Sequence, residues 1–535
     1  MDRPSKPYVR DLEFRGFIEG LTYVDDKSQP LCHYFGGIPY AIPPVGPFRW
    51  CKPRSLPPCY RYGTRVNPGR YTENCSLCPQ PGFNEGLNDS LWDEDCLQCN
   101  IWVPAGEPPK GGWPVLVWIH GGFLQFGTPR DIDLRAMLSE TSCKAIVVTP
   151  AYRLNVLGFL ASPELSAASS EFAANVGFWD QRLAIEWTWQ NISYFGGDTS
   201  NIAVGGYSAG AHSAFHQLSY DLGVPDSKSI IRRVLMLSNG PGLQPKSLSE
   251  AQEKFEELLT NLNIPLATSA SEKLTLLRSL DPKTLLRATF KMKHHQFRAI
   301  TDSAFVRPSL FHELNSGAFA RKMKQRGVKL IIGECSDEHF VYGQWRPPAN
   351  NLKSLFERLQ ADYSLPAVEA MVKYYFPDGK LPPGTPNWQN AFGKVYANMQ
   401  IHALERGMLD ALVRHGAGDL VYRYRIEYRA RCCDKKWPKQ WGVTHGTDMA
   451  LWFWGNGEEL SEEERKIVKE AFHDNLGRFL RGEEMEWGTE PLHVRCLKAD
   501  GTVRCEKDTG LEEGRRVWDL LKRAGAMGGM EKARL

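Results

Sequence analysis

Asn201-Ile202-Ala203-Val204-Gly205 runs directly into Gly206-Tyr207-Ser208-Ala209-Gly210, and residues 209–218 that follow are rich in Ala, His and Gln. The first five residues read as a short buried strand and the later stretch as a helix. A serine flanked by glycines at a strand-to-helix corner forms a tight elbow with strained dihedrals on Ser208. Small neighbours are needed at such a corner, which gives Gly206 and Gly210 a steric role. The turn lifts the hydroxyl out of the sheet and sets it at the positive end of a helix, where developing negative charge is favoured. A bare G-x-S-x-G string carries little weight; the strand before it and the helix after it give it meaning.

An activated serine needs an oxyanion hole. Val115-Leu116-Val117-Trp118-Ile119 is an apolar run of strand length, followed at once by His120-Gly121-Gly122-Phe123. Glycines let successive backbone N–H groups turn toward one point, and a developing alkoxide needs donors about 2.7–3.1 Å away. Gly121, Gly122 and the amide of Ala209 are the natural donors. His120 reads as a ring bracing this loop rather than as a base.

It also needs a base and an acid to orient that base. Thirteen histidines compete for the first role. His212 and His216 lie on the helix after Ser208 and read as packing or surface residues. His294-His295 sits in a basic stretch with Lys291, Lys293 and Arg298 and no strand before it. His445 stands in the glycine-flanked loop Gly442-Val443-Thr444-His445-Gly446-Thr447-Asp448, after the apolar strand Leu420-Val421-Tyr422. For the acid, the strand Lys329-Leu330-Ile331-Ile332-Gly333 ends in Glu334-Cys335-Ser336-Asp337-Glu338. Each candidate follows the carboxyl end of a strand, where catalytic groups collect in open α/β sheets. The chain order is nucleophile, acid, histidine.

Longer strings flank these. They include Phe35-Gly36-Gly37-Ile38-Pro39-Tyr40-Ala41-Ile42-Pro43-Pro44-Val45-Gly46 with Phe48-Arg49-Trp50, and Glu94-Asp95-Cys96-Leu97 with Asn100-Ile101-Trp102-Val103-Pro104. Further on stand Tyr152-Arg153, Leu157-Gly158-Phe159-Leu160, Asn175-Val176-Gly177-Phe178-Trp179-Asp180-Gln181 and Phe195-Gly196-Gly197-Asp198. Together they resemble a type B carboxylesterase, of the cholinesterase–lipase family of α/β-hydrolases, over nearly the whole length; a fungal-type intracellular member is expected. The resemblance implies an α/β-hydrolase fold: a large, mostly parallel central sheet, helices on both faces and helical insertions over the active site. It implies Ser208 as nucleophile and His445 as base. The family's acid is the glutamate of a Gly-x-x-x-Asp-Glu-Gly string, which falls on Glu338, with His339 where the last glycine is expected. Asp337 is the alternative acid and Glu334 the next. Glu94 and Arg153 resemble a structural ion pair of the family.

Two departures bear on substrate. Tyr207 stands where the family usually has Glu just before the nucleophile, which removes a negative charge from beside the reaction centre and weakens the case for cationic substrates. The tryptophan that relatives place before Cys96 has no clean counterpart, Trp92 being nearby. A neutral, rather apolar ester is expected, hydrolysed through an acyl-enzyme. The same machinery would also serve acyl transfer to an alcohol or amine, or lactone opening.

The 535 residues, 42% hydrophobic, can bury a large core, and no linker, repeat or low-complexity run divides them. One domain over 1–535 is expected, with 240–329 and 340–411 as helical insertions roofing the site. Segments 247–262, 352–376 and 462–481 show helical periodicity. A formal net charge of +3 offers no nucleic-acid footprint, and basic clusters such as 321–329 and Lys435-Lys436 read as solvated faces. Of thirteen cysteines, Cys75, Cys78, Cys96 and Cys99 have zinc-like spacing, but residues three apart in a strand face opposite ways. The resemblance instead implies a loop disulfide from Cys96 to Cys75 or Cys78. Neither metal nor cofactor is expected, and the partner is a small-molecule ester. The N-terminus lacks the apolar core of a secretory signal, and no apolar run approaches the roughly 20 residues of a membrane span. The sequons at Asn74, Asn88 and Asn191 read as noise, a cytoplasmic location is expected, and Ala533-Arg534-Leu535 is a variant of the Ser-Lys-Leu peroxisomal address.

Overall fold

The apolar runs become strands of one sheet in the computed structural model of the chain, which describes residues 4–83, 86–87 and 89–528. Asn88 and Ala533-Arg534-Leu535 lie outside the described residues. Among the described residues the sheet has thirteen strands. Its centre is parallel, in the order Ile146–Pro150, Trp113–Ile119, Gly197–Tyr207, Ile231–Leu237, Lys329–Cys335, Val421–Ile426 and His493–Leu497. Antiparallel strands extend both ends: Ser5–Asp11, Phe17–Val24, Pro30–Pro39 and Gln98–Pro104 on one side, Val503–Lys507 on the other. The arrangement is that of an α/β-hydrolase.

Alternate residues of a strand point to opposite faces, and both faces are covered here, which is why the central strands read as unbroken apolar runs. Val115, Val117, Ile202, Val204, Met236 and Ile332 pack on one side with Phe178, Ala214 and Leu218 from the helices Val176–Asn191 and Ala209–Asp221. Leu116, Trp118, Ala203, Leu235 and Ile331 pack on the other with Trp452, Phe472 and Leu476.

The segments 240–329 and 340–411 leave from the carboxyl ends of the strands Ile231–Leu237 and Lys329–Cys335 and are mainly helical. The periodicity at 352–376 resolves into two helices, Leu352–Asp362 and Leu365–Tyr375. Pro366 sits in the first turn of the second, the position where its missing N–H costs nothing, and it cannot continue the helix before it. Likewise 462–481 is two helices joined by a π turn, Lys469–His473. No helix of the described residues is long and apolar enough to cross a membrane.

One expected pairing is corrected. Glu94 and Arg153 do not pair with each other. Arg153 grips Asp180 with Nε and Nη2 at 2.8 and 2.7 Å, and Glu94 takes Arg49 Nε and Nη2 at 2.8 and 2.5 Å. Each carboxylate meets a guanidinium edge-on in a bidentate pair, so none is left for the crossed arrangement. Cys96 is joined to Cys78, while Cys75 and Cys99 are buried free thiols. The disulfide takes two of the four sulfurs that a zinc site would use.

Candidate active site

Ser208, Glu338 and His445 each follow the carboxyl end of one of the central strands and meet above the sheet. Ser208 has φ 57° and ψ −125°, the strained corner expected of the elbow. A Cβ on Gly206 would fall 2.2 Å from the Gly210 carbonyl carbon, and one on Gly210 would fall 2.0 Å from the Ile119 oxygen. Both glycines are therefore steric necessities. Ser208 Oγ lies 2.7 Å from His445 Nε2, and His445 Nδ1 lies 2.5 Å from Glu338 Oε2. The other Glu338 oxygen accepts the Cys335 amide at 2.8 Å. All three side chains are buried.

His339 in place of glycine leaves Glu338 undisturbed. Glu338 has ordinary helical dihedrals, φ −51° and ψ −33°, and His339 opens the short helix His339–Tyr342 without a positive φ, so nothing there calls for glycine. Asp337 and Glu334, the two alternative acids, are engaged elsewhere. Asp337 Oδ2 accepts the Val443 amide at 3.0 Å and so braces the loop that carries His445. Glu334 is held by Arg406, at 2.6 and 2.8 Å, and by His402 at 2.5 Å. Asp448, three residues past His445, accepts from Ser238 Oγ at 2.6 Å.

Burial lowers the His445 imidazole to about 4, which keeps it neutral, and able to accept a proton, at pH 7. Burial pushes the Glu338 carboxyl above the usual range. The Cys335 amide works against that shift by donating to the charged form.

The strand Trp113–Ile119 delivers His120, Gly121 and Gly122 beside Ser208. Gly122 has φ +102°, a conformation that favours glycine, and its carbonyl accepts the amides of Gln125 and Phe126 at 2.9 and 3.0 Å to close the turn. The His120 ring stacks on Tyr152 with centroids 4.4 Å apart, and its Nδ1 bonds the Gly121 carbonyl at 2.9 Å. Burial holds it neutral, at about 4, as a brace. Ala209 opens the helix Ala209–Asp221, where the first N–H groups have no partner within the helix.

Ser208, His445, Gly121 and Gly122 line a cavity of about 300 Å³. Phe83, Trp118, Phe123, Phe126, Trp437 and Met449 contribute apolar side chains to its wall. Exposed Asp131 and Lys436 stand at its mouth with opposite charges. The Tyr207 ring sits 4.8 Å from the His445 ring. Trp92 lies apart, beside a separate surface hollow with Asp89 and Asp93; Phe83, from the loop between the paired cysteines, supplies an aromatic ring instead. His212 and His216 pack edge to face at 4.5 Å behind the serine, and His294 is buried away from it. The segment 240–329 meets the site from behind, where Phe297 O accepts Gln125 Nε2 at 2.5 Å, and Val341 of 340–411 faces the cavity.

Tyr342 escaped the sequence reading. Its ring lies 4.9 Å from His445 and 5.8 Å from Phe123. Only its position four residues past Glu338 could have drawn notice. Among the described residues, a metal-like cluster occurs at Glu427, Cys496 and Glu506, but Lys498 Nζ already bonds Glu506 at 2.6 Å and Glu427 at 3.4 Å.

Residues 6–484 match the model of the carboxylesterase family. The chain is 46% identical over 526 residues, 96% of each chain, to a carboxylic ester hydrolase of Gibberella moniliformis. It is 28% identical over 447 residues, 78% of this chain and 70% of the other, to the cholinesterase of Mus musculus. The crystal structure of Aspergillus niger EstA superposes with a TM-score of 0.75 at 20% identity, covering 97% of this chain and 99% of that one.

Proposed function

The chain belongs to the carboxylesterase family and is a serine carboxylesterase; from that premise we propose that Ser208, His445 and Glu338 form its catalytic triad and that its substrate is an ester without a cationic group. The observation that carries this is the unbroken hydrogen-bonded line from Ser208 Oγ through both ring nitrogens of His445 to Glu338, beside a largely apolar cavity.

In this mechanism Ser208 Oγ attacks the ester carbonyl carbon while its proton passes to His445 Nε2. The carbonyl oxygen becomes an oxyanion, held by the amides of Gly121, Gly122 and Ala209. Glu338 fixes the tautomer with Nδ1 protonated and stabilises the imidazolium that forms. Collapse breaks the C–O bond to the alcohol, which leaves with the His445 proton. Water, deprotonated by His445, then attacks the acyl-enzyme and releases the acid and Ser208. The aromatic wall, with Tyr207 in place of a carboxylate and Asp131 opposed by Lys436 at the mouth, favours an uncharged, rather apolar body for the substrate.

The test is labelling and turnover together. A fluorophosphonate should modify Ser208, and benzyl or aryl esters graded in acyl length should be cleaved to free acid. Labelling elsewhere, with no ester cleaved, would refute the assignment.

A further inference from the structure

Behind the oxyanion loop lies a second cavity of about 50 Å³, walled by Leu124, His212, Gln244, Arg298, Asp362 and Gln400 among others. It adjoins the first. Leu124 is two residues past Gly122, and the His212 amide donates to the Ser208 carbonyl at 3.1 Å, one helical turn on. The Arg298 guanidinium lies 5.7 Å from the centre of the Phe123 ring, which lines the main cavity. Tyr342 packs against His445, which lines the first cavity. Its ring is 5.1 Å from that of Tyr396, whose hydroxyl accepts Arg298 Nη2 at 2.6 Å. Its buried hydroxyl interacts with the Ser208 side chain without a formed hydrogen bond.

The walls are short of negative charge. Asp362 is shared by two guanidiniums, Arg298 at 2.8 Å and Arg358 at 2.6 Å, and both the acid and Arg358 are nearly inaccessible. Lys246 and Lys254 also neighbour Asp362, yet their ammonium groups are spent on the carbonyls of Gln360 and Gln296. Burial pushes the Lys254 amine down to about 7. Arg298 uses Nε and Nη2 within the protein, which leaves Nη1 for the cavity. His212 Nδ1, which donates in the tautomer protonated there, finds no hydrogen-bond partner among the described residues. Buried polar groups and excess buried charge are costly unless something pairs with them. The space exceeds the ~30 Å³ that one water takes up in the liquid, so a carboxylate group fits.

We propose that this second cavity receives a carboxylate carried on the acyl part of the ester, bound by Arg298, with the Tyr342 hydroxyl lining the passage from Ser208. The acyl part is assigned to it because the alcohol must depart while the acyl group stays on Ser208. The first cavity opens past exposed Asp131 and Lys436, and the second is lined by buried and half-buried residues. The substrate class is then a hemiester of a dicarboxylic acid: an apolar alcohol and chain in the first cavity, a charged acyl tail in the second. This rests on the esterase assignment and restricts "uncharged" to the body of the substrate.

The experiment compares benzyl hydrogen glutarate with benzyl pentanoate, which share the alcohol and the acyl length and differ in the terminal carboxylate. Benzyl alcohol release gives kcat/KM for each. The wild-type enzyme should favour the hemiester at least tenfold. Arg298→Gln should lower that ratio at least tenfold, and Arg298→Lys should retain part of it. Should the variants not fold, free glutarate should still inhibit benzyl pentanoate cleavage by the wild type at least tenfold more strongly than pentanoate does. A wild-type ratio at or below one, a ratio unmoved by Arg298→Gln, or equal inhibition by the two acids would overturn the proposal. Cleavage of benzyl pentanoate with labelling of Ser208 upholds the esterase assignment whichever way the ratio falls; cleavage of neither ester removes both.

Discussion

His445 Nδ1 and Glu338 Oε2 are 2.5 Å apart, although 107 residues separate them in the chain and His339 occupies the position where relatives carry glycine. Asp337, one residue before Glu338, is turned the other way and receives the Val443 amide. The two acids therefore have separable jobs. Glu338→Gln should leave the geometry in place and misorient the imidazole, lowering kcat by orders of magnitude. Asp337→Asn should lower it less, because the amide oxygen still accepts from Val443. Steady-state kinetics of the two variants checks the ranking, and the reverse order would make Asp337 the orienting acid.

Burial lowers His445 from 6.5 to about 4. The neutral imidazole is the working form, and a lowered pKa keeps it neutral further into acid. The acid limb of kcat/KM is therefore expected well below pH 6.5, with activity lost as pH falls toward about 4. A pH profile restricted to conditions in which the enzyme stays folded reads this. A limb at or above 6.5 would mean that the free-enzyme base is better solvated than its burial indicates.

The Arg153–Asp180 pair is buried, with side chains 5% and 0% exposed. Removing one partner of such a pair leaves an uncompensated charge and costs about 3–5 kcal/mol. Arg153→Met should lower the unfolding midpoint accordingly, whereas Arg70→Met, from a largely exposed 3.8 Å pair with Glu19, should shift it little. Similar midpoints for the two variants would contradict the structural role given to Arg153.

With Tyr207 beside the reaction centre, a quaternary ammonium loses a Coulomb attraction of roughly 1–4 kcal/mol at short range. The tyrosine face returns about 0.5–2 kcal/mol of it. Benzyl butyrate should therefore be cleaved with higher kcat/KM than butyrylcholine. A clear preference for the choline ester would show that Asp131 at the mouth outweighs Lys436.

The serine corner was legible because its requirements are local: Gly206 and Gly210 are small for steric reasons that adjacent residues impose. The strands were legible because burial on both faces demands unbroken apolar runs such as 115–119. Glu338 and His445 came from order and resemblance, since no local pattern says which carboxylate reaches which imidazole. The choice of Arg49 for Glu94 and Asp180 for Arg153 was illegible for the same reason: partner choice among buried charges is settled by tertiary placement. Cys78 over Cys75 is similar, as the Cys75 thiol turns toward Asn100 Oδ1 at 3.0 Å. The second cavity draws on residues from Leu124 to Gln400, and nothing near any one of them in the chain announces the others.

Ser208 as the nucleophile is tested by exposing wild-type enzyme and Ser208→Ala to a fluorophosphonate, then mapping the adduct by peptide mass and measuring residual ester turnover. The wild type should carry one adduct on the peptide containing Ser208 and lose all activity. Ser208→Ala should remain folded, take up no adduct there and turn over several orders of magnitude more slowly, since removing the nucleophile removes most of the triad's contribution. A Ser208→Ala enzyme that keeps wild-type turnover, or a wild type inactivated without modification of Ser208, would contradict the mechanism.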